Sequence, residues 1–207
     1  MSKFVLFDVG ANWGTDSLER TQGDQNIETW AFEPVPELIA NLTTKSAEYA
    51  DRYHIIPSAV SDFDGTAQFN IADHYDWGCS SLNNFSDHLG ETWPGRPDFK
   101  FNRSITVQVT RLDTWFKTSN VHIDKIDYFH CDTQGSDLKV LQGMEDYITL
   151  IQEGVVECAR DENVKLYKEN HTKAEMIEFL NSKGFEIIRE QSNDTWSNEI
   201  NLYFKKI

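Results

Sequence analysis

The stretch FVLFDVGANWGTDSLE, residues 4–19, constrains the fold more than any other part of this chain. A short apolar run, broken only by Asp8, stops at Gly10, and a helix-forming segment starts five residues later. A continuous run rather than an alternating one fits a strand buried on both faces, as in a parallel sheet. Glycines at 10 and 14 bracket a turn with no Cβ at either position. Such a turn makes room for a bound nucleotide or for another part of the protein.

The same alternation continues along the chain. The pattern predicts helices over 15–22 (Thr15 as N-cap), 36–50 (Pro36 in the first turn), 112–116, 136–144 (ended by Gly143) and 172–184 (Thr172 as cap, Gly184 just past the end). Strands are expected at 28–33, 53–60, 104–109, 125–132 and 152–159. Residues 65–72 follow the turn signal DFDG and read as a hairpin partner. Two closing strands, 185–190 and 199–206, can pair antiparallel. Continuous strands alternating with helices imply one α/β domain over 1–207, a mostly parallel sheet with helices on both faces. Ligands of such sheets sit at the carboxyl ends of the strands, beside the point where strand order reverses. Residues 73–103 break the pattern, being irregular and rich in aromatics, Gly and Pro. A long irregular segment of that kind is often functional.

Bulk properties narrow the function. The 207 residues, 39% hydrophobic and 13% aromatic, describe an ordinary soluble domain. No apolar run approaches the ~20 residues of a membrane span, and FVLFDV is too short for a signal peptide. The expected location is the cytoplasm. Cys79, Cys131 and Cys158 lack metal-type spacing and read as free thiols. A net charge of -15 argues against nucleic-acid partners and anionic membrane surfaces, and favours a neutral or cationic small ligand. Met1 lies only a few residues before the first strand, as in a domain of a longer multidomain chain.

Glu33 ends the second strand about twenty residues after the glycines, where an acid can bind ribose hydroxyls. The turn reads G-A-N-W-G, not the G-x-G-x-x-G of dinucleotide sites. Asn12 stands where a pyrophosphate needs a glycine for close approach. Side chains at 11–13 suit a nucleoside ligand without a diphosphate, such as S-adenosylmethionine.

Four ordered motifs, FDVGANWGTDSL, AFEPVPELIANL, AVSDFDGTAQF and IDYFHCDTQGSDLKVLQGM, resemble the FkbM family of S-adenosylmethionine-dependent methyltransferases. The likeness runs from about Phe4 to about Phe185. It implies a Rossmann-like class I methyltransferase sheet of seven strands, the last one antiparallel. It also implies methyl transfer to oxygen, on sugar or polyketide hydroxyls in better-known members. The lysine common in the family before the D-x-Q/E-G motif is His130 here, and 73–103 matches no family pattern.

On this reading Asp8 and Gly10 line the methionine end of the cofactor, Asn12 of the same loop also contacts it, and Trp13 shields the methyl from water. Glu33 holds the ribose, and Ser61 and Asp62 lie beside the adenine. Asp132 ends the fourth strand at the methyl site. His130, two residues earlier, shares its face, and a His–carboxylate pair can act as general base on an acceptor hydroxyl. Asp132 and Glu157 can form a carboxylate pair, which with Gln134 suits Mg²⁺ only weakly. No metal is expected. His74, Tyr75, Trp77 and Trp93, with Gln134, are the expected acceptor wall for a small-molecule or glycan substrate. Two other readings stay open, a nicotinamide-dependent oxidoreductase on the same sheet and a non-catalytic nucleotide-binding module. The first lacks the middle glycine and a Tyr-x-x-x-Lys pair.

Overall fold

The computed structural model describes residues 3–72 and 76–207. His74 and Tyr75 lie outside the described residues. Seven strands form the main sheet in the order β3-β2-β1-β7-β8-β10-β9. They are β1 (Phe4–Val9), β2 (Ile27–Phe32), β3 (Tyr53–Ile56), β7 (Ile126–Cys131), β8 (Ile151–Ala159), β9 (Phe185–Ser192) and β10 (Glu199–Lys206). The pairs from β3 to β8 are parallel, and β10 runs antiparallel between β8 and β9. The chain leaves β1 toward β3 on one side and returns through β7 on the other. The reversal point, and the crevice it opens, is therefore between β1 and β7.

A second sheet has the order β4-β6-β5, with β4 (Ala59–Val60), β5 (Gly65–Ile71) and β6 (Arg103–Thr110). Two expectations change here. The strand expected over 53–60 is broken at Pro57, which has no N–H for a ladder. Its first half joins the main sheet and its second half the small one. Residues 65–71 do not form a hairpin with the preceding strand. β6 intervenes, pairing parallel with β4 and antiparallel with β5.

The helices are α1 (Thr15–Gly23), α2 (Pro36–Lys45), α3 (Leu89–Thr92), α4 (Leu112–Thr118), α5 (Asp137–Gln142) and α6 (Lys173–Ser182). Thr15 is the first helical residue and not the cap. Gly14, left-handed at φ 68, holds that position without a side-chain bond. Thr172 does cap α6, in a reciprocal capping box with Glu175. The main core joins Phe7, Val9, Phe129, Cys131 and Val156 to α4, α5 and α6. On the opposite face Leu18 of α1 and Leu42 of α2 pack with Ala31 and Tyr53 over the β1–β3 half. Farther along that face, Tyr128, His130, Val155, Asn201 and Tyr203 line a polar cleft beside α1. Among the described residues, no helix is long and apolar enough to cross a membrane.

Candidate active site

The glycine turn accommodates the protein itself. Gly10 has φ +86, and a Cβ there would lie 2.0 Å from the Asp132 carbonyl oxygen. Gly14 has φ +68 and faces the Leu42 and Leu18 side chains. The first glycine thus lets β1 and the end of β7 close up at the reversal point, and the turn's backbone borders two clefts.

The first cleft opens between the sheets, with Phe32, Val35, Leu38, Val60 and Phe69 among its walls. Glu33 lies in it and is 3% exposed. Its carboxylate accepts from the backbone N–H of Asn12 and of Val35, both at 2.8 Å. Burial pushes its pKa up to about 7, against the pull of those two donors. The Asn12 side-chain oxygen is buried and has no partner. An orphaned acceptor at that depth costs free energy unless a donor arrives, and an ammonium or hydroxyl of a bound nucleoside would supply one. The lining suits the chemistry of an adenosine: apolar walls, one carboxylate for a diol, one open acceptor.

Ser61 and Asp62 do not line this cleft. Ser58, Ala59 and Val60 do. The break at Pro57 carries Ser61 past it, so that the Ser61 carbonyl lies against Gly143 while Asp62 is exposed. Trp77 is also a wall of the first cleft, edge-on to Trp13 at 5.9 Å, and belongs with the turn rather than with a separate acceptor wall. Trp93 is corrected too. It is 2% exposed and packs on Phe99 and Trp196 in a core that the irregular segment builds with Leu166 and Tyr167.

Asp132 lines both the apolar and the polar cleft. It accepts from Gln134 Nε2 at 2.6 Å, and the same nitrogen reaches Glu157 at 3.3 Å. The Tyr167 hydroxyl donates to Gln134 Oε1 at 2.7 Å, and Ser81 Oγ donates to its carbonyl at 2.6 Å. Gln134 therefore spends both side-chain groups on holding Asp132 and has φ 55, rather than facing an acceptor freely. The part of the irregular segment around Ser81 and Asn83 clamps this loop. Burial raises the pKa of Asp132, opposed by the His130 charge and the Gln134 hydrogen bond. Glu157 is raised further, by burial and then by Glu199 and Asp132.

Two buried acids here had no sequence signal beyond their type. Asp137 accepts from Thr133 Oγ1 at 2.9 Å and from the Glu157 N–H at 3.2 Å, tying the β7 and β8 ends together. Glu199 opens β10, and its pKa is pushed up to about 8 by burial and the Asp132 charge. Among the described residues, no group of three or more His, Cys, Asp or Glu is arranged to hold a metal ion.

His130 does not pair with Asp132. Parallel register sets it beside Asp8, and its Nδ1 meets Asp8 Oδ1 at 2.8 Å. Burial alone would lower the imidazole pKa; the Asp8 hydrogen bond and charge, with Asp132, reverse this and raise it to about 9. A protonated ring has no lone pair to take a proton, so this raised pKa argues against His130 as a base at neutral pH. The raised value has a stability consequence. A group bound more tightly to its proton when folded stabilises the fold fully below its unfolded pKa, near 6.5, and loses that contribution as pH rises through about 9. The stability gap between wild type and His130→Gln should be widest below pH 6.5 and shrink toward pH 9 in calorimetric scans. A gap independent of pH would show that the ring is neutral in the folded protein.

Comparison with known proteins follows the same lines. Residues 8–187 match the model of the methyltransferase FkbM domain. The 2-O-methyltransferase NoeI of Sinorhizobium fredii (strain NBRC 101917 / NGR234) is 28% identical over 151 residues, which cover 70% of this chain and 59% of NoeI. Methyltransferase FkbM from Methylobacillus flagellatus KT superposes with a TM-score of 0.59 at 14% identity, covering 98% of this chain and 43% of that one. Fibrillarin from Aeropyrum pernix, solved with natively bound S-adenosyl-L-methionine, gives 0.55 at 10% identity, covering 98% and 66%. The chain thus spans about three-fifths or less of the first two proteins' lengths. With the family model covering most of its length, on a Rossmann-like methyltransferase sheet, the chain belongs to the FkbM methyltransferase family.

Proposed function

We propose that this methyltransferase uses S-adenosylmethionine to methylate a hydroxyl of a sugar, glycan or related small molecule. The observation that carries the reading is the place of Asp132, one residue shared by an apolar cleft and a polar cleft. When bound, S-adenosylmethionine supplies an electrophilic methyl on a positively charged sulfur. The chain's own residues do the rest. Glu33 binds the ribose hydroxyls, the Asn12 side-chain oxygen accepts from the cofactor's polar end, and Trp13 and Trp77 keep water out. Asp132 orients the acceptor hydroxyl and receives its proton, with a pKa lifted toward the range where a carboxylate is an effective base. Gln134 and Glu157 fix its position, while His130 and Asp8 neutralise one another at the base of the turn. An oxygen acceptor agrees with the activity in NoeI's name. Transfer of labelled methyl from S-adenosylmethionine to a panel of sugars and oligosaccharides tests the reading. Label on nitrogen or carbon acceptors alone would reject it.

The ribose assignment makes a separate prediction. Glu33→Ala should weaken S-adenosylmethionine binding about ten- to a hundredfold in calorimetry, the loss of charge-assisted hydrogen bonds. In wild type the affinity should also fall as pH drops below about 7, where Glu33 takes up a proton. Unchanged affinity in the variant would move the ribose elsewhere.

A further inference from the structure

The polar cleft holds two cations with no acid to serve. Arg20 lies over the Tyr128 ring at 4.6 Å, and Arg189 over the Tyr203 ring at 3.6 Å. Four of the chain's other arginines, at 96, 103, 111 and 160, sit in ion pairs with carboxylates, and Arg52 donates to backbone carbonyls. Arg20 and Arg189 make no ion pair with a carboxylate among the described residues, in a chain with 34 acids and 19 Lys and Arg. A guanidinium stacked on a tyrosine keeps its N–H edge free for a planar or tetrahedral oxyanion.

The cleft's charges are also unlike those of the whole molecule. Its lining acids are Asp8, Asp16 and Asp132; its lining bases are Arg20, His130 and Arg189. Asp8 is matched by His130, and Glu153, two residues before Val155 on the same face of β8 and opposite Tyr128, is exposed at the cleft's edge. Three lining acids against three lining bases leave this cleft far less negative than the chain's net charge of -15 implies for the rest. An anion meets less repulsion here than elsewhere on the molecule. The remaining lining, Tyr128, Tyr203, Asn193 and Asn201, offers ring faces and amides of the kind that bind sugars.

Register supplies the scale. His130, Val155 and Tyr203 stand side by side on β7, β8 and β10. At about 4.8 Å between strands, the Tyr203 backbone lies roughly 10 Å from that of His130, two strands away across the cleft. We propose that the acceptor is an anionic sugar, whose phosphate or carboxylate is held by Arg20 and Arg189 while its hydroxyl reaches Asp132 in the same cleft. This rests on the O-methyltransferase reading and narrows its substrate class.

The test uses three probes on the full chain loaded with S-adenosylhomocysteine: glucose 6-phosphate, glucuronate and glucose, followed by NMR titration of the tyrosine ring and arginine side-chain signals. Both anions should bind more tightly than glucose and shift the Tyr128 and Tyr203 signals. If one of them alone does so, it identifies the oxyanion as phosphate or carboxylate. Arg20→Gln and Arg189→Gln should each weaken anion binding about ten- to a hundredfold, as for loss of a charged hydrogen bond, and leave S-adenosylhomocysteine affinity intact. Both side chains are exposed, so neither change threatens the fold. Anions that bind no better than glucose, or binding indifferent to both substitutions, would overturn the proposal. Arginine-dependent anion binding with no methyl transfer to any hydroxyl would instead sink the O-methyltransferase reading and leave the anion site standing.

Discussion

Gly10→Ala is expected to destabilise the protein by roughly 2–5 kcal/mol, the sum of a left-handed backbone penalty and a forced backbone shift. The two contributions separate by comparison. Gly184 has φ +83, close to the +86 of Gly10, but a Cβ there would meet nothing within 4 Å. Gly184→Ala should therefore show the conformational penalty alone, about 1–2 kcal/mol. The excess at position 10 measures the approach of the Asp132 carbonyl, 2.0 Å from the added atom. Urea denaturation of both variants gives the two values. Equal losses would mean that the turn has room to yield, and that Gly10 is there for its φ only. With an excess, the shift also falls on Asp132, so the folded fraction should turn over slowly despite an unaltered set of side chains.

That close approach was half legible in the sequence. Two glycines after a strand announce a tight turn, because backbone conformation is a local property, but what fills the space is not local. The position of Glu33 in the first cleft is readable for the same reason, since it lies a fixed distance along a strand–helix–strand unit. The Asp8–His130 pair was harder. Its members are 122 positions apart and meet only because β7, not β8, lies beside β1. A hint existed in the lysine that the family commonly carries at this place, because a cation opposite Asp8 serves the same charge whether ammonium or imidazolium.

The misplacements share a cause. The family likeness puts Ser61 and Asp62 beside the adenine at the end of a third strand, but Pro57 splits that strand between two sheets. Trp93 was assigned to the acceptor because it sits in an irregular stretch, yet Leu166 and Tyr167, seventy residues on, give that stretch a core of its own. Asp137 and Glu199 went unnoticed because burial of a carboxyl is decided by tertiary packing. Fold class follows from pattern, whereas the electrostatic state of each acid follows from neighbours that the pattern does not name.

Asp132→Asn is the substitution with the largest expected effect on turnover, a loss of about 10²–10⁴-fold with cofactor affinity nearly unchanged. The asparagine would fit. Its carbonyl can still accept from Gln134 Nε2, now 2.6 Å from the aspartate oxygen, so the loop should keep its shape. It cannot take a proton, and its NH₂ would offer a donor where the acceptor hydroxyl needs an acceptor. The damage should therefore appear in kcat and not in S-adenosylmethionine binding. The pH profile divides this role from the alternatives. With Asp132 as base, wild-type turnover falls at low pH as its carboxyl is protonated, from a pKa that burial holds above the ordinary carboxylate range. Asp132→Asn should abolish that limb. His130→Gln should keep it, because the imidazole is already protonated across the same range and its pKa lies near 9. Glu157→Gln should slow the reaction less, since Glu157 reaches Asp132 only through the Gln134 amide. An Asp132→Asn enzyme that keeps normal turnover would pass the proton to Glu157 or to water, and the shared position of Asp132 between the two clefts would then be structural.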